Sequence, residues 1–506
     1  MQPDIKLREY QRAIIDSAVK RNCLVVLPTG MGKTIIALFT AINRFEKLPN
    51  SKILFLAPTR PLASQHLTTF KKNLPELYAD MQLFTGKINS KKRQELWQTT
   101  DIIFSTPQCI ANDLRKNRIG LEDVSLLIED EAHRCLKNYD YTYVAEKYIE
   151  QSRMPLILGL TASPGSDKET IDNICQNLRI ERVEIRSRYS EDVKPYMQKL
   201  ETEIIKVELP EEFKIVRSYL QRIYTKKIEE MQKRKLLFSR ATKKTLLDLQ
   251  FRMVKAISSG NKHFNLLRGM VLCSQAIKIN HAIELLETQS INSLHNYLKS
   301  LIEKAKTKSA INLVNDKDFS SAYLAVSKLY NANIEHPKLQ KLKEILKEKI
   351  KKTIIFSQYR DTISRIKKEL EPLTNCEIFV GQQKKGALGL SQKEQALIIE
   401  KFNKGEINCL ISTSIGEEGL DLPEVNLVIF YEPVPSAIRK IQRSGRTARL
   451  KPGKIITLIT KGTRDESNYW AAYHKEKKMY RILDDLRGNL DAAKKNQQLD
   501  LKRFID

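Results

Sequence analysis

Short apolar runs alternate with amphipathic stretches over the first two hundred residues of the chain. The runs at 23–27, 52–57, 82–85, 101–105, 125–128 and 156–160 have the length of strands, and helical spacing recurs between them. Strands that alternate with helices predict a parallel α/β sheet. Ligands of such a sheet bind at the carboxyl ends of its strands, so candidate chemistry is expected there.

The pattern changes near residue 206 and changes back near residue 336. From 211 to about 333, glycine and proline almost vanish, and leucine and isoleucine recur at helical spacing among lysines, with a break at 258–261. Strand-like runs resume at 353–356, 377–380, 409–412, 427–431 and 455–459. We therefore predict an α/β fold with two parallel-sheet lobes (1–205 and 336–465), an all-helical insert (206–335) and a basic, helical C-terminal tail (466–506).

The charge balance adds a candidate partner. The 506 residues include 87 lysines and arginines against 60 acidic residues, a net charge of +27. An excess of this size attracts polyanions, and nucleic acid is the leading candidate. A generally basic proteome and an acidic membrane surface are the alternatives; no apolar run approaches the roughly 18 residues that a membrane span needs. Seven cysteines without CxxC spacing favour a reducing, cytoplasmic compartment.

Residues 27–34 follow the phosphate-binding loop pattern, except that Leu27 stands in place of the first glycine. They lie between an apolar run and a helical run, which is the context the motif requires, and this disfavours an ordinary glycine turn. Lys33 would reach the outer phosphates, and the Thr34 hydroxyl would ligate Mg²⁺. The sequence thus predicts a nucleoside triphosphate site formed by Pro28, Thr29, Gly30, Met31, Gly32, Lys33 and Thr34.

Carboxylates follow the apolar run at 126–128. Adjacent acidic residues at the end of a buried strand are costly unless a cation or a proton-transfer role occupies them. We predict that Asp130 holds Mg²⁺ and that Glu131 orients and deprotonates the attacking water. An acidic cluster that only favours a helix dipole is the alternative. Together with the phosphate loop, the pattern favours ATP hydrolysis.

The ordered set of motifs resembles that of the superfamily 2 helicases with two RecA-like lobes, most closely the archaeal Hef helicase and its eukaryotic FANCM relatives. Two further segments, 430–439 and 461–466, look particularly similar to Hef, and the resemblance spans nearly the whole chain. The motifs in chain order are 7–11, the phosphate loop, 57–62, 105–108, the DEAH box at 130–133, 161–164, 355–359, 412–421 and 442–449.

The resemblance implies an ATP-dependent DNA helicase or translocase that acts on branched DNA, such as stalled replication forks and junctions, in DNA repair or fork restart. An RNA-directed ATPase is the alternative, because RNA-sensing helicases share the lobe–insert–lobe plan. A passive DNA-binding scaffold is disfavoured, since the motifs of hydrolysis are intact. Full-length relatives continue into a nuclease-like domain, which this chain stops short of, so no nuclease activity is expected. The resemblance also implies a cytoplasmic location in association with the nucleoid, as in archaea.

The resemblance also implies roles for single residues. Gln11 would read adenine and Asp421 would contact the ribose. Arg446 and Arg449 would reach the γ-phosphate from the second lobe, and Gln442 would help to position the water or that phosphate. Thr161 and Ser163 would link the ATP site to the strand-binding cleft. Backbone contacts to DNA, with turn or helix-cap duty as the alternative, are implied for Thr59, Arg60, Thr106, Ser357, Gln358 and Thr413.

Two more surfaces are candidates for partners. The C-terminal residues Gln498, Leu501 and Phe504 resemble an interaction box for the PCNA sliding clamp, with Ile505 in place of a second aromatic residue; a disordered tail is the alternative. The helical insert, which the resemblance likens to a thumb that contacts branched DNA, offers cations that a solvated helix face would equally display. These are Arg222, Lys226, Lys227, Lys233, Arg234, Lys235, Lys243 and Lys244.

Overall fold

The computed structural model describes residues 5–75, 78–137, 139–261, 263–347, 352–381, 389–413, 424–434, 436, 441, 447 and 452–503, with side chains up to residue 486. Each of the eleven runs predicted as strands is a strand whose ends differ by at most two residues from the prediction. All strand pairings within the two sheets are parallel. The predicted α/β fold with two sheets and a helical insert is confirmed.

The first lobe is a seven-stranded sheet in the order β3-β4-β2-β5-β6-β1-β7. Buried apolar side chains cover both faces of this sheet, as a sheet flanked by helices requires. Its strands are β1 (Cys23–Val26), β2 (Lys52–Leu56), β3 (Met81–Phe84), β4 (Ile102–Ser105), β5 (Val124–Asp130), β6 (Ile157–Thr161) and β7 (Arg182–Ile185). Its helices are α1 (Glu9–Ala18), α2 (Lys33–Lys47), α3 (Arg60–Asn73), α4 (Ser90–Thr99), α5 (Pro107–Arg115), α6 (Asp140–Gln151) and α7 (Lys168–Asn177).

The insert is helical throughout its described elements, and the predicted break at 258–261 separates two of its helices. It has two apolar clusters: one lies beside the second lobe, and the other joins α8, α9 and α10. The helices are α8 (Glu211–Lys233), α9 (Lys243–Ser258), α10 (Phe264–Thr288), α11 (Ile291–Glu303), α12 (Lys308–Val314) and α13 (Lys317–Asn331).

The second lobe is a six-stranded sheet in the order β10-β11-β9-β12-β13-β8. A C-terminal helix, α17 (Arg464–Arg503), follows its last strand. The strands are β8 (Leu200–Val207), β9 (Thr353–Phe356), β10 (Cys376–Phe379), β11 (Cys409–Ser412), β12 (Leu427–Phe430) and β13 (Gly453–Thr460). The other described helices are α14 (Pro337–Lys347), α15 (Arg360–Leu370) and α16 (Gln392–Lys404).

The strand β8 corrects the predicted boundary at residue 205. All eight of its residues pair with β13, so the segment from 200 belongs to the second sheet although it precedes the insert. Because β8 is an edge strand with mostly exposed side chains, it has no apolar run that could reveal it. The strand β7 was also missed, since charged residues interrupt its four positions.

Polar contacts fasten the insert to the second lobe. Glu284 of α10 accepts a hydrogen bond from the Tyr359 hydroxyl at 3.2 Å, and the Arg464 guanidinium donates to the Asn280 side chain at 2.6 Å. Although burial opposes ionisation, hydrogen bonds from His281 and Lys243 lower the pKa of Glu284 to about 2, so its charge persists at neutral pH. The end of α10 is thereby anchored to the lobe.

The predicted tail is a helix that returns to the first lobe. Met479, Ile482 and Leu483 of α17 are buried in the same apolar cluster as Val183 and Ile185 of β7. The helix therefore connects the second lobe, where it begins, to the core of the first. No helix among the described residues is both long and apolar enough to cross a membrane.

Candidate nucleotide site between two lobes

The phosphate loop lies where β1 ends and α2 begins, as predicted. Gly30 and Gly32 have φ angles of +81° and +82°, a region that favours glycine. A Cβ atom on Gly32 would lie 2.4 Å from Nε2 of Gln11, so the close approach of α1 also excludes a side chain there. Lys33 donates through Nζ to the Leu27 carbonyl at 2.9 Å, which keeps its amine at the loop.

Helix α1 holds this loop through two side chains. The Tyr10 hydroxyl and the Gln11 amide both donate to the Met31 carbonyl, at 2.8 and 3.2 Å. The side-chain oxygen of Gln11 accepts from the Arg8 N–H at 3.1 Å. Both ends of the Gln11 amide are therefore bound to protein in this conformation, and its reading of adenine stays a prediction. The sequence analysis missed Tyr10, although it directly precedes Gln11.

A histidine that the sequence analysis also missed joins the two predicted magnesium ligands. Nε2 of His66 lies 2.9 Å from Oδ2 of Asp130, and Nδ1 lies 3.3 Å from the Thr34 hydroxyl oxygen. A carboxylate only accepts, so Nε2 donates to Asp130. Phe55 packs against the buried imidazole with 4.4 Å between ring centroids, which fixes its orientation.

The charge state of Asp130 suits a cation. Burial by itself raises the pKa of this carboxyl, but the hydrogen bond with His66 and the electrostatic attraction of His66 and Lys33 outweigh it, so the pKa is lowered. Carboxylate and hydroxyl oxygens are the ligands that Mg²⁺ prefers. Thr34 and Asp130 therefore fit the predicted metal ligands in chemistry, and both contact the same imidazole, which lies between them in this conformation.

Glu131 directly follows the strand that carries Asp130. It adopts a left-handed backbone conformation directly after β5, with φ of +54°. Its buried Oε2 lies 3.3 Å from Nδ1 of His133 and finds no hydrogen-bond partner among the described residues. An acceptor in this state is suited to orient a water molecule and to take its proton.

A chain of contacts leads from the DEAH box to the C-terminal helix. Nδ1 of His133 lies 3.2 Å from the Thr161 hydroxyl oxygen, and that oxygen accepts from the Ser163 N–H at 3.1 Å. The Ser163 hydroxyl in turn donates to Sδ of Met479 at 3.0 Å. These contacts join Thr161 and Ser163 to the DEAH box and, through Met479, to α17, and their predicted link to the strand-binding cleft stays a prediction.

The motif residues of the second lobe that were predicted to act on ATP lie outside the described residues. They are Asp421, Gln442, Arg446 and Arg449. Two neighbours are described. Ile441 lines a cavity of about 720 Å³ together with Pro28 and Thr29 of the phosphate loop. The Thr447 hydroxyl donates to the Val425 carbonyl at 2.6 Å, which anchors Thr447 beside β12.

The residues predicted to hold DNA are divided by the structure into two groups. Thr59 and Thr106 directly precede α3 and α5, and Arg60 is the first residue of α3, at the ends of the adjacent strands β2 and β4. Both threonines occupy the N-cap position of their helices, and in the part of the chain that the structure describes neither makes a side-chain cap hydrogen bond. Turn duty stays an alternative to DNA contact.

The second group lies in the second lobe, after the adjacent strands β9 and β11. The Ser357 hydroxyl donates to Glu432 at 3.2 Å, and the Gln358 N–H donates to the same carboxylate. Ser357 and Thr413 are both buried, so neither side chain is open to DNA in this conformation.

Half of the predicted DNA-binding cations on the insert are engaged within the protein. Arg222 and Lys226 both bind Asp318, Arg234 binds Glu230 and Lys243 binds Glu284, at 2.8–3.1 Å. Within the described residues, no salt bridge is found for Lys227, Lys233, Lys235 or Lys244. The clamp-box residues Gln498 and Leu501 lie in α17 beyond its described side chains, and Phe504 lies outside the described residues.

Three family models match successive parts of the chain. The DEAD/DEAH box helicase model matches residues 8–171, and the helicase conserved C-terminal domain matches residues 337–451. Residues 212–336 match a model described as "Putative ATP-dependent RNA helicase, helical bundle". These three ranges correspond to the first lobe, the second lobe and the insert.

Curated relatives match along most of the chain. A Methanocaldococcus jannaschii protein, named "Putative ATP-dependent RNA helicase", is 41% identical over 493 residues, which cover 95% of this chain and 61% of that protein. The Fanconi anemia group M protein homolog of Mus musculus is 31% identical over 94% of this chain and 26% of its own length. The ATP-dependent DNA helicase mph1 of Aspergillus oryzae is 32% identical, with coverages of 93% and 45%. The chain thus spans less than two thirds of each relative.

A solved structure matches almost completely. The crystal structure of the Pyrococcus furiosus Hef helicase domain is 42% identical in sequence and superposes with a TM-score of 0.71, covering 92% of this chain and 98% of that one. With the loop, the acidic strand end and the two sheets already in place, this agreement establishes the family. The chain belongs to the Hef and FANCM family of superfamily 2 helicases, enzymes that use ATP with Mg²⁺.

Proposed function

We propose that this protein is an ATP-driven DNA helicase or translocase that acts on branched DNA, such as stalled replication forks and junctions, in DNA repair or fork restart. The observation that carries the proposal is the cavity shared by Thr29 of the phosphate loop and Ile441 of the second lobe. Because the loop faces the second lobe across this cavity, we infer that a nucleotide bound at the loop contacts both lobes, so that its hydrolysis changes how the lobes are held together. That dependence converts hydrolysis into movement along DNA.

The first lobe supplies the hydrolytic groups. Lys33 and the backbone N–H groups of the loop bind the phosphates, while Thr34 and Asp130 hold Mg²⁺, which neutralises charge on the phosphates when bound. Glu131 orients the attacking water and accepts its proton. Arg446 and Arg449, which lie outside the described residues, would bind the γ-phosphate, a contribution worth about 10³–10⁵ in rate in related enzymes. Hydrolysis then requires the lobes to close.

The net charge of the chain and the names of its relatives support DNA as the substrate. The net charge of +27 suits a polyanion, and Thr59, Arg60 and Thr106 share one sheet edge, where hydroxyl and guanidinium groups suit phosphate contacts. The mouse and Aspergillus relatives carry the names of a Fanconi anemia group M homolog and a DNA helicase.

The test compares ATP turnover on defined nucleic acids. Rates are measured with replication-fork DNA, four-way junctions, linear duplex DNA of equal length and double-stranded RNA, and strand products are followed on gels. We expect the greatest stimulation by fork or junction DNA, with strand separation or branch movement that requires ATP. Equal stimulation by linear duplex would contradict the preference for branches.

The second candidate function is an RNA-directed ATPase. It is favoured by the names of the Methanocaldococcus relative and of the helical-bundle model, both of which mention RNA. Turnover stimulated by double-stranded RNA alone, at a salt concentration where fork DNA has no effect, would select this function.

Binding of the PCNA clamp through Gln498, Leu501 and Phe504 is part of the proposal. A short helical turn would present the leucine and the phenylalanine to an apolar groove. The measurement is the affinity of the full chain for PCNA, compared with a Leu501→Ala/Phe504→Ala variant. Loss of binding in the variant supports the box, and equal affinity contradicts it.

A further inference from the structure

A buried carboxylate, that of Glu432, lies at the carboxyl end of the second sheet. Strands β9 and β12 are neighbours, with Phe356 opposite Phe430, and the Tyr431 N–H donates to the Phe356 carbonyl at 3.0 Å. This register brings Glu432 beside the two residues that follow β9. Only 2% of the surface of Glu432 is open to solvent. Burial of a carboxylate is unfavourable unless other groups donate hydrogen bonds to it, so this carboxylate requires donors from the protein.

Two of its donors belong to the segment of the second lobe that is predicted to hold the DNA backbone. Each oxygen of Glu432 accepts one hydrogen bond, from the Ser357 hydroxyl at 3.2 Å and from the Gln358 N–H. The Gln358 side chain itself is exposed. Because two hydrogen bonds to one planar group fix both the position and the direction of the backbone, the side chain of Gln358 depends on Glu432 for its place on the surface.

The residues on the other side of Glu432 in the chain face the nucleotide site. Pro433 and Val434 line the cavity of about 720 Å³ that is also lined by Pro28 and Thr29 of the phosphate loop. Proline has a fixed φ angle and confines the residue before it to extended conformations, so the backbone between the cavity and the carboxylate is stiff. A displacement of Pro433 therefore moves Glu432 as well.

We propose that Glu432 is a positioning residue that couples the binding of ATP in the nucleotide cavity to the binding of DNA by the second lobe. This inference rests on the proposed function and names the residue that connects its two sites. When the lobes close on ATP, Pro433 and Val434 shift and the carboxylate moves with them. Its two hydrogen bonds then displace Ser357 and Gln358, which changes their fit to the DNA backbone. Glu432 needs no contact with either ligand for this effect.

The test measures the coupling between ATP and DNA. The affinity of the full chain for fluorescently labelled fork DNA is determined with and without a nonhydrolysable ATP analogue and Mg²⁺, and the ratio of the two affinities is the coupling factor. We expect a factor of about 5–150 for the unchanged protein and less than about two for Glu432→Ala. By linkage, saturation with DNA changes the affinity for the analogue by the same factor, which is an independent measurement. Glu400→Ala, which changes an exposed glutamate of α16 in the same lobe, is the matched control and should keep the full factor.

Two conservative variants separate hydrogen bonding from charge. Glu432→Gln can accept from the Gln358 N–H and donate to the Ser357 hydroxyl oxygen, so it should retain most of the coupling although the charge is lost. Glu432→Asp keeps the charge but withdraws the carboxylate by one methylene, so it should lose most of the coupling.

Stability is controlled separately. A carboxylate that only held the end of β9 in place would make the same two hydrogen bonds, and its loss would lower stability without changing the coupling factor. All affinities are therefore measured below the temperature at which thermal unfolding of any variant begins. Full coupling in folded Glu432→Ala or Glu432→Asp would overturn the inference, as would loss of coupling in Glu432→Gln. Failure of the unchanged protein to bind DNA, or to bind it differently with the analogue, would instead reject the proposed function itself.

Discussion

The hydroxyl of Ser163 donates a hydrogen bond to Sδ of Met479 at 3.0 Å, across 316 positions of the chain. Ser163 follows Thr161, whose hydroxyl oxygen lies 3.2 Å from His133 of the DEAH box. Met479 lies in α17, which begins at the second lobe and is buried in the core of the first. The helix therefore connects the two lobes physically.

This connection predicts distinct effects for two substitutions of Met479. Met479→Ala removes a buried side chain and should lower the free energy of unfolding by about 2–5 kcal/mol, with a loss of DNA-stimulated ATP turnover. Met479→Leu conserves volume and should cost less than about 1.5 kcal/mol. Urea denaturation and turnover with fork DNA measure both effects. An alanine variant with unchanged stability and stimulation would show that the helix does not connect the lobes.

The roles assigned to Lys33 and Glu131 predict two inactive variants that differ in their affinity for ATP. Lys33→Ala should abolish turnover and weaken ATP binding, because the positive charge at the outer phosphates is lost. Glu131→Gln should abolish turnover but retain nucleotide, because only the acceptor for the water proton is removed. Single-turnover hydrolysis and equilibrium binding of a fluorescent ATP analogue distinguish them.

Exposed residues of α2 provide matched controls for these variants. Lys47→Ala and Glu46→Gln change the same residue types at the opposite end of the helix. Both should leave turnover unchanged. Normal hydrolysis by Lys33→Ala or by Glu131→Gln would remove the corresponding assignment.

The contact between His66 and Asp130 predicts that substitution of His66 changes how ATP turnover depends on Mg²⁺ concentration. His66→Ala leaves the buried Asp130 carboxylate without its nearest donor, so the carboxylate is held less firmly toward the metal. We expect the Mg²⁺ concentration for half-maximal turnover to rise about 10–100-fold, as for other groups that orient metal ligands. His66→Gln, which can still donate a hydrogen bond, should recover part of this loss. A magnesium titration identical to that of the unchanged protein would contradict the role.

Glu129 predicts a pH-dependent stability. Burial raises the pKa of the Glu129 carboxyl well above its usual value. In the unfolded chain this carboxyl loses its proton at about pH 4.3, whereas in the folded protein it keeps the proton to higher pH. The contribution of Glu129 to stability is therefore complete below that pH and is lost as pH rises toward the folded-state pKa. Because Glu129→Gln removes this titrating group, the free energy of unfolding of the variant relative to the unchanged protein should increase as the pH rises above about 4.3. The control Glu46→Gln, at an exposed position, should show no such trend. If the free energies of unfolding of Glu129→Gln and of the unchanged protein change equally with pH, the prediction is wrong.

The strands inside each sheet were predictable because they are short, continuous apolar runs. Runs such as 125–128 and 409–412 are buried on both faces, so nearly every position must be apolar. The phosphate loop and the acidic strand end were predictable for a different reason. Phosphate and Mg²⁺ demand particular residue types at short, regular spacing, and those constraints are local in the chain.

The amino-acid sequence by itself determined the two α/β lobes, the helical insert and the residue types of the ATP site. Only the tertiary structure decided that β8 joins the second sheet, that His66 connects Thr34 to Asp130, and that α17 returns to the first lobe. These relationships join residues far apart in sequence, and the edge strand and the charged helix carry little periodic signal. Their positions follow from which surfaces remain to be covered after the sheets have formed, and that is a property of packing rather than of local pattern.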